Sequence, residues 1–431
     1  MKAIVTPTPP LGWNSWDCYG ASVREDEVLA NARYLAEHLK PFGWDTVVVD
    51  IQWAEPTADS SRYHSYAPLE QDGFSRLIPA ANRFPSSAGG KGFVPLAQEI
   101  HALGLKFGIH IMRGIPRQAV HNDAPIEGSA YTARQVAHPN AICPWNTDMY
   151  GLDPGHPGAQ DYYDSLFRLY SSWGVDYVKI DDLAASRLYG PHIAELALVR
   201  RALDRCGRPM VLSLSPGPAS VELAHAYREY ADLWRITDDF WDRWDLLKDM
   251  FDRCERWYAH VGPGSWPDCD MLPLGHIGIR SVDGGGADRM TRFTRDEQTT
   301  MMTLWCLFRS PLMFGGELRD NDEWTNSLLT NREVLRVHGE GRDPRPVTVG
   351  GDLRVWTSVA PDGSLYAAVF NLTDGRAEAG TAWASLGLAG PQTVRDLWSG
   401  KDLGTFSDGW NEELPPHGSR LLQVSKHRQG Q

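Results

Sequence analysis

From the amino terminus to about residue 340, short apolar runs alternate with longer stretches whose apolar residues recur at helical spacing. Repeated βα units produce this alternation. The runs WDTVVVD (44–50), LKFGIHI (105–111), DYVKIDD (176–182), RPMVLSL (208–214), DLWRITD (232–238) and WYAHVGP (257–263) read as strands. LGWNSW (11–16) reads as an opening strand and PLMFGG (311–316) as a closing one. Segments 23–39, 94–103, 159–173, 193–205 and 294–308 read as helices. The last opens with Thr294 three residues before Glu297, the spacing of a capping box. Strands and helices in this order predict an α/β fold, a (β/α)8 TIM barrel.

After GRDPRP (341–346) the helical period disappears. LRVWTSVA, LYAAVFNL, VRDLWSG and RLLQV alternate in steps of two, with turn signals at APDG (360–363) and TDG (373–375). This pattern predicts a C-terminal antiparallel β-sandwich domain. The expected organisation is a catalytic barrel over residues 1–343 and a sandwich over 344–431, and 431 residues suit that pairing.

Composition narrows the partners. A formal net charge of −13 argues against nucleic acid and anionic membrane surfaces, both of which attract basic proteins. No apolar run approaches the length of a membrane span. Seventeen tryptophans are an excess that suits a site stacking aromatic faces on sugar rings, so a small-molecule carbohydrate is the expected partner. The six cysteines show no CxxC spacing, which speaks against structural zinc and for reduced thiols. Neither cofactor nor metal is expected. Residues 1–10 show no apolar leader, so the chain reads as cytoplasmic, or as secreted with its leader trimmed. Oligomeric state is not readable.

Polar and charged residues stand at many strand ends: Trp16 and Asp17, Asp50, His110, Lys179 with Asp181, Ser213 with Ser215, and Arg235 with Asp239. Barrel active sites are assembled at the C-terminal ends of the strands, and strands buried on both faces have no structural reason to end in carboxylates. In YVKIDDL (177–183), period-two alternation puts Tyr177, Lys179 and Asp181 on the inner side and Ile180 and Asp182 on the outer. A lysine beside Asp181 would keep that carboxylate ionised, and an ionised carboxylate can attack an anomeric carbon. In LWRITDDFWDRW (233–244), Asp238 and Asp239 lie among Trp234, Trp241 and Trp244, surroundings that would suit a general acid. GPGSWPDCDMLPLG (262–275) reads as a tight loop projecting Asp268 and Asp270.

The ordered set GWNSW, VVVDIQW, GLKFGIH, YVKIDD, WRITDDFWD, GPGSWPDCDML and SPLMFGGEL resembles the α-galactosidase/α-N-acetylgalactosaminidase family of retaining glycosidases, glycoside hydrolase family 27. The resemblance runs through the whole barrel and implies hydrolysis of terminal α-linked galactose-like sugars. It implies that Asp181 is the nucleophile and Asp239 the general acid/base, with Arg235 binding substrate four residues earlier. Trp16 would wall the sugar's C6 side, Asp50 would hold O4 and O6, Lys179 would bind hydroxyls beside the nucleophile, and Asp270 would serve the sugar from its loop.

Departures from the family pattern bear on the substrate. After the second strand the family's Asp-Asp-Cys-Trp is Asp50-Ile51-Gln52-Trp53, so one hydroxyl-gripping acid is missing. A third-strand tyrosine is His110, followed by Arg113 and Arg117, and the fifth-strand loop carries Ser215. The cysteine that many members have after the nucleophile is Leu183, so the disulfide it closes is not expected. These changes put substrate choice on Ile51, Gln52, His110, Arg113 and Ser215, with Trp53 beside them. They leave α-galactosidase as the leading reading, with α-N-acetylgalactosaminidase, β-L-arabinopyranosidase and α-glucan exo-hydrolase as alternatives. A non-catalytic sugar-binding barrel would be favoured if either acid were missing. A metal-dependent barrel hydrolase would need an HxH pair at a strand end, where His110 stands alone.

Overall fold

The structure, a computed structural model, describes residues 2–186, 188, 190–282 and 287–427. Eight parallel strands form its main sheet: β1 (Leu11–Asn14), β2 (Thr46–Val49), β3 (Lys106–Met112), β4 (Tyr177–Asp181), β5 (Val211–Leu214), β6 (Leu233–Arg235), β7 (Trp266–Asp268) and β8 (Leu312–Phe314). Their order is β7-β6-β5-β4-β3-β2-β1-β8. A parallel bridge from Leu272 to Phe314, with Leu272 N donating to Met313 O at 2.8 Å, brings the segment after β7 onto β8 and closes the barrel.

Strand alternation divides the apolar residues into two layers. Val47, Val49, Ile109, Val178, Ile180, Leu212 and Leu214 face outward into the core shared with the helices. Val48, Tyr177, Leu233, Trp266 and Met313 fill the barrel interior. With no solvated face, the strands read as continuous apolar runs. The expected capping box is present: Thr294 Oγ1 accepts from Glu297 N at 3.2 Å, while Glu297 Oε2 accepts from Thr294 N at 2.7 Å, at the start of the Arg295–Phe308 helix.

One expected strand is displaced. Residues 257–263 are not a strand: Trp257 ends the helix Trp244–Trp257, and Tyr258–His260 is a 3-10 turn. Leu247, Met250, Phe251, Cys254 and Trp257 make one buried helical face, so the apolar run at 257 belongs to helical period. The seventh strand is Trp266–Asp268, inside the segment expected to be loop. It makes ladder pairs with β6 alone, which is why it tolerates Pro267, a residue that cannot donate to a ladder. Between β3 and β4 the chain also builds a three-stranded antiparallel sheet (Ile115–Pro116, Ala137–Ile142, Met149–Leu152) that the sequence pattern did not announce.

The second domain is the antiparallel sandwich, with strands β9 (Arg342–Pro346), β10 (Leu353–Val359), β11 (Leu365–Asn371), β12 (Ala377–Ala382), β13 (Gln392–Asp396), β14 (Lys401–Phe406), β15 (Gly409–Leu414) and β16 (Ser419–Lys426). Six strands pair in the order β9-β10-β11-β16-β13-β14, and β12 pairs with β15. Val369, Trp383, Val394, Trp410 and Leu422 fill its interior. The outer face of the larger sheet packs on the barrel, with Phe370 against Phe251 at 4.8 Å between ring centres and Trp356 against Phe308 at 6.2 Å. Arg354 pairs with Asp252 at 2.8 Å and with Glu255 across the same interface. Among the described residues no helix is long and apolar enough to cross a membrane.

Candidate active site

A cavity of about 800 Å³ opens at the C-terminal ends of the barrel strands. Seven of the eight strand ends supply its lining: Trp16 and Asp17 after β1, Asp50 after β2, His110 from β3, Lys179 and Asp181 from β4, Ser215 after β5, Arg235 and Asp239 from and after β6, and Asp270 and Met271 after β7. The volume lies within the range of small-ligand sites.

The β3–β4 register explains how the centre is built. His110 is the register partner of Lys179, and Met112 of Asp181, so inward-facing His110, Lys179 and Asp181 meet at the mouth. The His110 ring bridges two carboxylates, with Nδ1 2.8 Å from Asp50 Oδ1 and Nε2 3.1 Å from Asp181 Oδ2. Lys179 Nζ lies 3.5 Å from Asp50 Oδ2, and Asn14 Nδ2 donates to the same oxygen at 2.8 Å. Lys179 therefore pairs with Asp50, and the direct contact to Asp181 comes from His110, which corrects the expected Lys179–Asp181 pair.

These contacts decide charge. Burial alone would push Asp181 up, but the His110 contact, then its charge and that of Lys179, hold it below its usual value. Asp50 is likewise held far below the carboxylate range, because His110 and Lys179 outweigh its burial. The His110 ring is raised: burial opposes its charge, and Asp50 prevails. Asp182 N donates to Asp181 Oδ1 at 2.8 Å, fixing the carboxylate plane.

Across the mouth, Arg235 pairs with Asp270 Oδ1 at 2.8 Å and donates to Asp239 Oδ1 at 3.2 Å. Asp270 Oδ2 accepts from Phe240 N at 2.8 Å. Burial pushes Asp270 up to about 6 against the pull of Arg235. The Asp239 side chain is 58% exposed, in contrast to Asp181 at 10%. The aromatic enclosure expected around Asp239 is not there. Only Trp241 of the three tryptophans lines the cavity; Trp234 lies in the core beside Tyr227 and Trp257, and Trp244 stacks on His417 at 3.6 Å.

Three expected substrate-binding residues lie elsewhere. Gln52 has φ +71° and turns its amide to Glu55 at 3.1 Å. Trp53 donates to His110 O at 2.8 Å and packs on Phe93 and Trp173, so it supports β3 from outside the cavity. Arg113 is buried, pairing with Asp182 at 2.6 Å and Glu195 at 2.9 Å. It donates to Asp182 O as well, at 2.8 Å, and so holds the residue after Asp181 in its left-handed conformation, φ +57°. Ile51 does not line the cavity; it belongs to the apolar cluster that holds Trp16, Met112 and Met149. Arg117 lies over the Tyr150 ring at 4.7 Å.

Sequence reasoning missed several lining residues. Tyr63 and Trp145 come from the long connections after β2 and β3, away from the barrel strand ends. Tyr63 stacks on Trp16 at 6.0 Å and meets Trp145 at 5.3 Å, forming an aromatic wall. Pro216, Gly217 and Pro218 line the opposite side. The six cysteines are free and buried. Among the described residues no group of three or more His, Cys, Asp or Glu side chains could hold a metal ion.

The chain and its fold have close counterparts among known proteins. The family model described as alpha galactosidase A matches residues 146–340, and that of the alpha galactosidase C-terminal beta sandwich domain matches 350–424. An α-galactosidase of Cyamopsis tetragonoloba is 26% identical over 428 residues, 97% of this chain and 86% of that protein. A GH27 β-L-arabinopyranosidase of Geobacillus stearothermophilus is 63% identical, with 97% of each chain covered and a TM-score of 0.97. A variant of that enzyme in complex with arabinose is 62% identical, with 98% of each chain covered and the same TM-score. Matched over nearly its whole length, barrel and sandwich together, the chain belongs to glycoside hydrolase family GH27 and is a glycosidase.

Proposed function

We propose that the chain is a retaining exo-glycosidase whose preferred glycone is β-L-arabinopyranose, with α-D-galactosides as slower substrates. The two sugars share ring configuration, and the arabinopyranose lacks the exocyclic hydroxymethyl group. The observation that carries this choice is the end of β2. Of residues 50–53 only Asp50 lines the cavity, and Ile51, where the family resemblance places a second acid, packs among apolar side chains. A hydroxymethyl group on this side would give up water without that charged acceptor, a loss of about 1.5–3 kcal/mol. The 63% identical β-L-arabinopyranosidase of Geobacillus stearothermophilus supports the same reading.

The mechanism follows from the unequal surroundings of the two carboxyls. Asp181, buried and held ionised, attacks the anomeric carbon while Asp239 protonates the leaving oxygen. The exposure of Asp239 suits a group that must exchange its proton with the leaving alcohol and with incoming water. Asp239 then takes a proton from water as the glycosyl–Asp181 ester is hydrolysed, and the anomeric configuration is retained. Asp50, Lys179, Arg235 and Asp270 present paired charges to the ring hydroxyls.

The test is kcat/KM for p-nitrophenyl β-L-arabinopyranoside against the α-D-galactopyranoside. A preference for the pentoside of about 10-fold or more is expected. Equal values, or a preference for the galactoside, would return the assignment to α-galactosidase.

A further inference from the structure

Asp17 follows Trp16 at the end of β1 and lines the cavity, yet its side chain is 1% exposed and no family motif named above gives it a part. Its Oδ2 is enclosed and has no hydrogen-bond partner. That oxygen occupies the space a side chain at 315 would need: a Cβ on Gly315 would lie 2.0 Å from it. With Oδ2 shut in, the carboxyl meets the cavity through Oδ1. The charged groups facing it are Asp270, Lys179, Asp239 and Asp50, and the Cys18 thiol lies beside it. Lys179 is engaged by Asp50, and Arg235 by Asp270 and Asp239. His110 is shared by Asp50 and Asp181. Asp17 thus stands among carboxyls whose cations are already taken.

We propose that Asp17 is a glycone-binding residue that acts as a neutral carboxylic acid, its Oδ1–H donating to a sugar hydroxyl oxygen. An enclosed, unpaired oxygen is far less costly as the carbonyl of an acid than as half of a carboxylate. Burial, reinforced by the charge of Asp270, pushes Asp17 well above the usual carboxylate range. Ionised carboxylates accept hydrogen bonds only, so a protonated Asp17 adds a donor between Asp50 and Asp270. The proposal rests on the glycosidase reading of this cavity.

The experiment measures the affinity of free L-arabinose and D-galactose, and of their singly deoxygenated analogues, for the wild type, Asp17→Asn and Asp17→Ala from pH 5 to 9. Asn keeps an N–H donor in the same shape, so Asp17→Asn should bind within about 3-fold of wild type and Asp17→Ala about 5–10-fold more weakly. Wild-type affinity should fall as pH rises and Asp17 loses its proton, while Asp17→Asn lacks that decline. The Asp17→Ala loss should vanish for the one analogue without the recognised hydroxyl. Equal weakening in both variants, or an Asp17→Ala loss that is the same for every analogue, would overturn the proposal. If Asp17→Ala does not fold, the pH profiles of wild type and Asp17→Asn decide alone. A wild type that binds neither sugar would instead count against the proposed glycone.

Discussion

His110 is the residue on which the charge of the centre turns. It bridges Asp50 and Asp181, and its contact leads the forces that oppose burial at Asp181. Replacing it with Asn removes that contact and lets burial raise Asp181. Loss of one charge-assisted contact, worth about 1.5–3 kcal/mol, should lower kcat about 10–100-fold. The acid limb of the pH–rate profile should move up, because a nucleophile with a raised pKa is protonated at higher pH. A profile unmoved in His110→Asn would show that Asp181 is held ionised by other groups. The sequence marked His110 as a strand-end departure beside the sugar. Its bridging role was not legible, since it depends on the β3–β4 register pairing His110 with Lys179.

At the level of elements, the β4 end is held from behind. Arg113, Asp182 and Glu195 are almost fully buried and mutually paired, and Tyr163 Oη donates to Glu195 at 2.5 Å. Removing the cation would strand two buried carboxylates, a cost of about 3–5 kcal/mol. Arg113→Ala should therefore lose that much stability in urea unfolding while leaving the ratio of arabinopyranoside to galactoside turnover unchanged. A changed ratio in a stable variant would restore Arg113 as a reader of substrate. Period-two alternation located Asp181 and Asp182 on opposite faces, as the cavity and the Arg113 pair show. The expectation that Arg113 reads substrate rests on its position just after β3 and not on alternation, which carries on from inward His110 and Met112 to put residue 113 on the outer face, where it turns back to Asp182. Trp266–Asp268 was missed because proline and aspartate masked a strand paired on one side. The aromatic wall of Tyr63 and Trp145 comes from long connections whose course no periodicity encodes.

Across the whole molecule, barrel, sandwich and site loop are tied through buried polar links. His338, in the helix Arg332–Glu340 that leads into the sandwich, lies 2.7 Å from Ser310 O. Ser310 Oγ accepts at 3.0 Å from Cys269 N, between Asp268 and Asp270. Burial pushes His338 down to about 3, helped by the charge of Arg309. The folded state keeps it neutral while the unfolded chain takes a proton near pH 6.5, so its contribution is complete above that pH and is lost as pH falls toward 3. Between pH 6.5 and 4.5 the loss from this group is about 2–3 kcal/mol. His338→Gln should lose correspondingly less stability over that interval in urea unfolding; an identical acid loss would place the sensitivity elsewhere. The domain order and the barrel were readable because βα alternation and the later period of two are long-range patterns, whereas links such as His338 to Ser310 exist only after folding.

The central claim is that Asp181 is the nucleophile and Asp239 the acid/base. Asp181→Gly, supplied with azide and an activated aryl glycoside, tests it most directly. Azide would enter through the space left by the Asp181 carboxylate, so the account predicts a glycosyl azide of anomeric configuration opposite to the substrate. A glycosyl azide that keeps the substrate's configuration would contradict it.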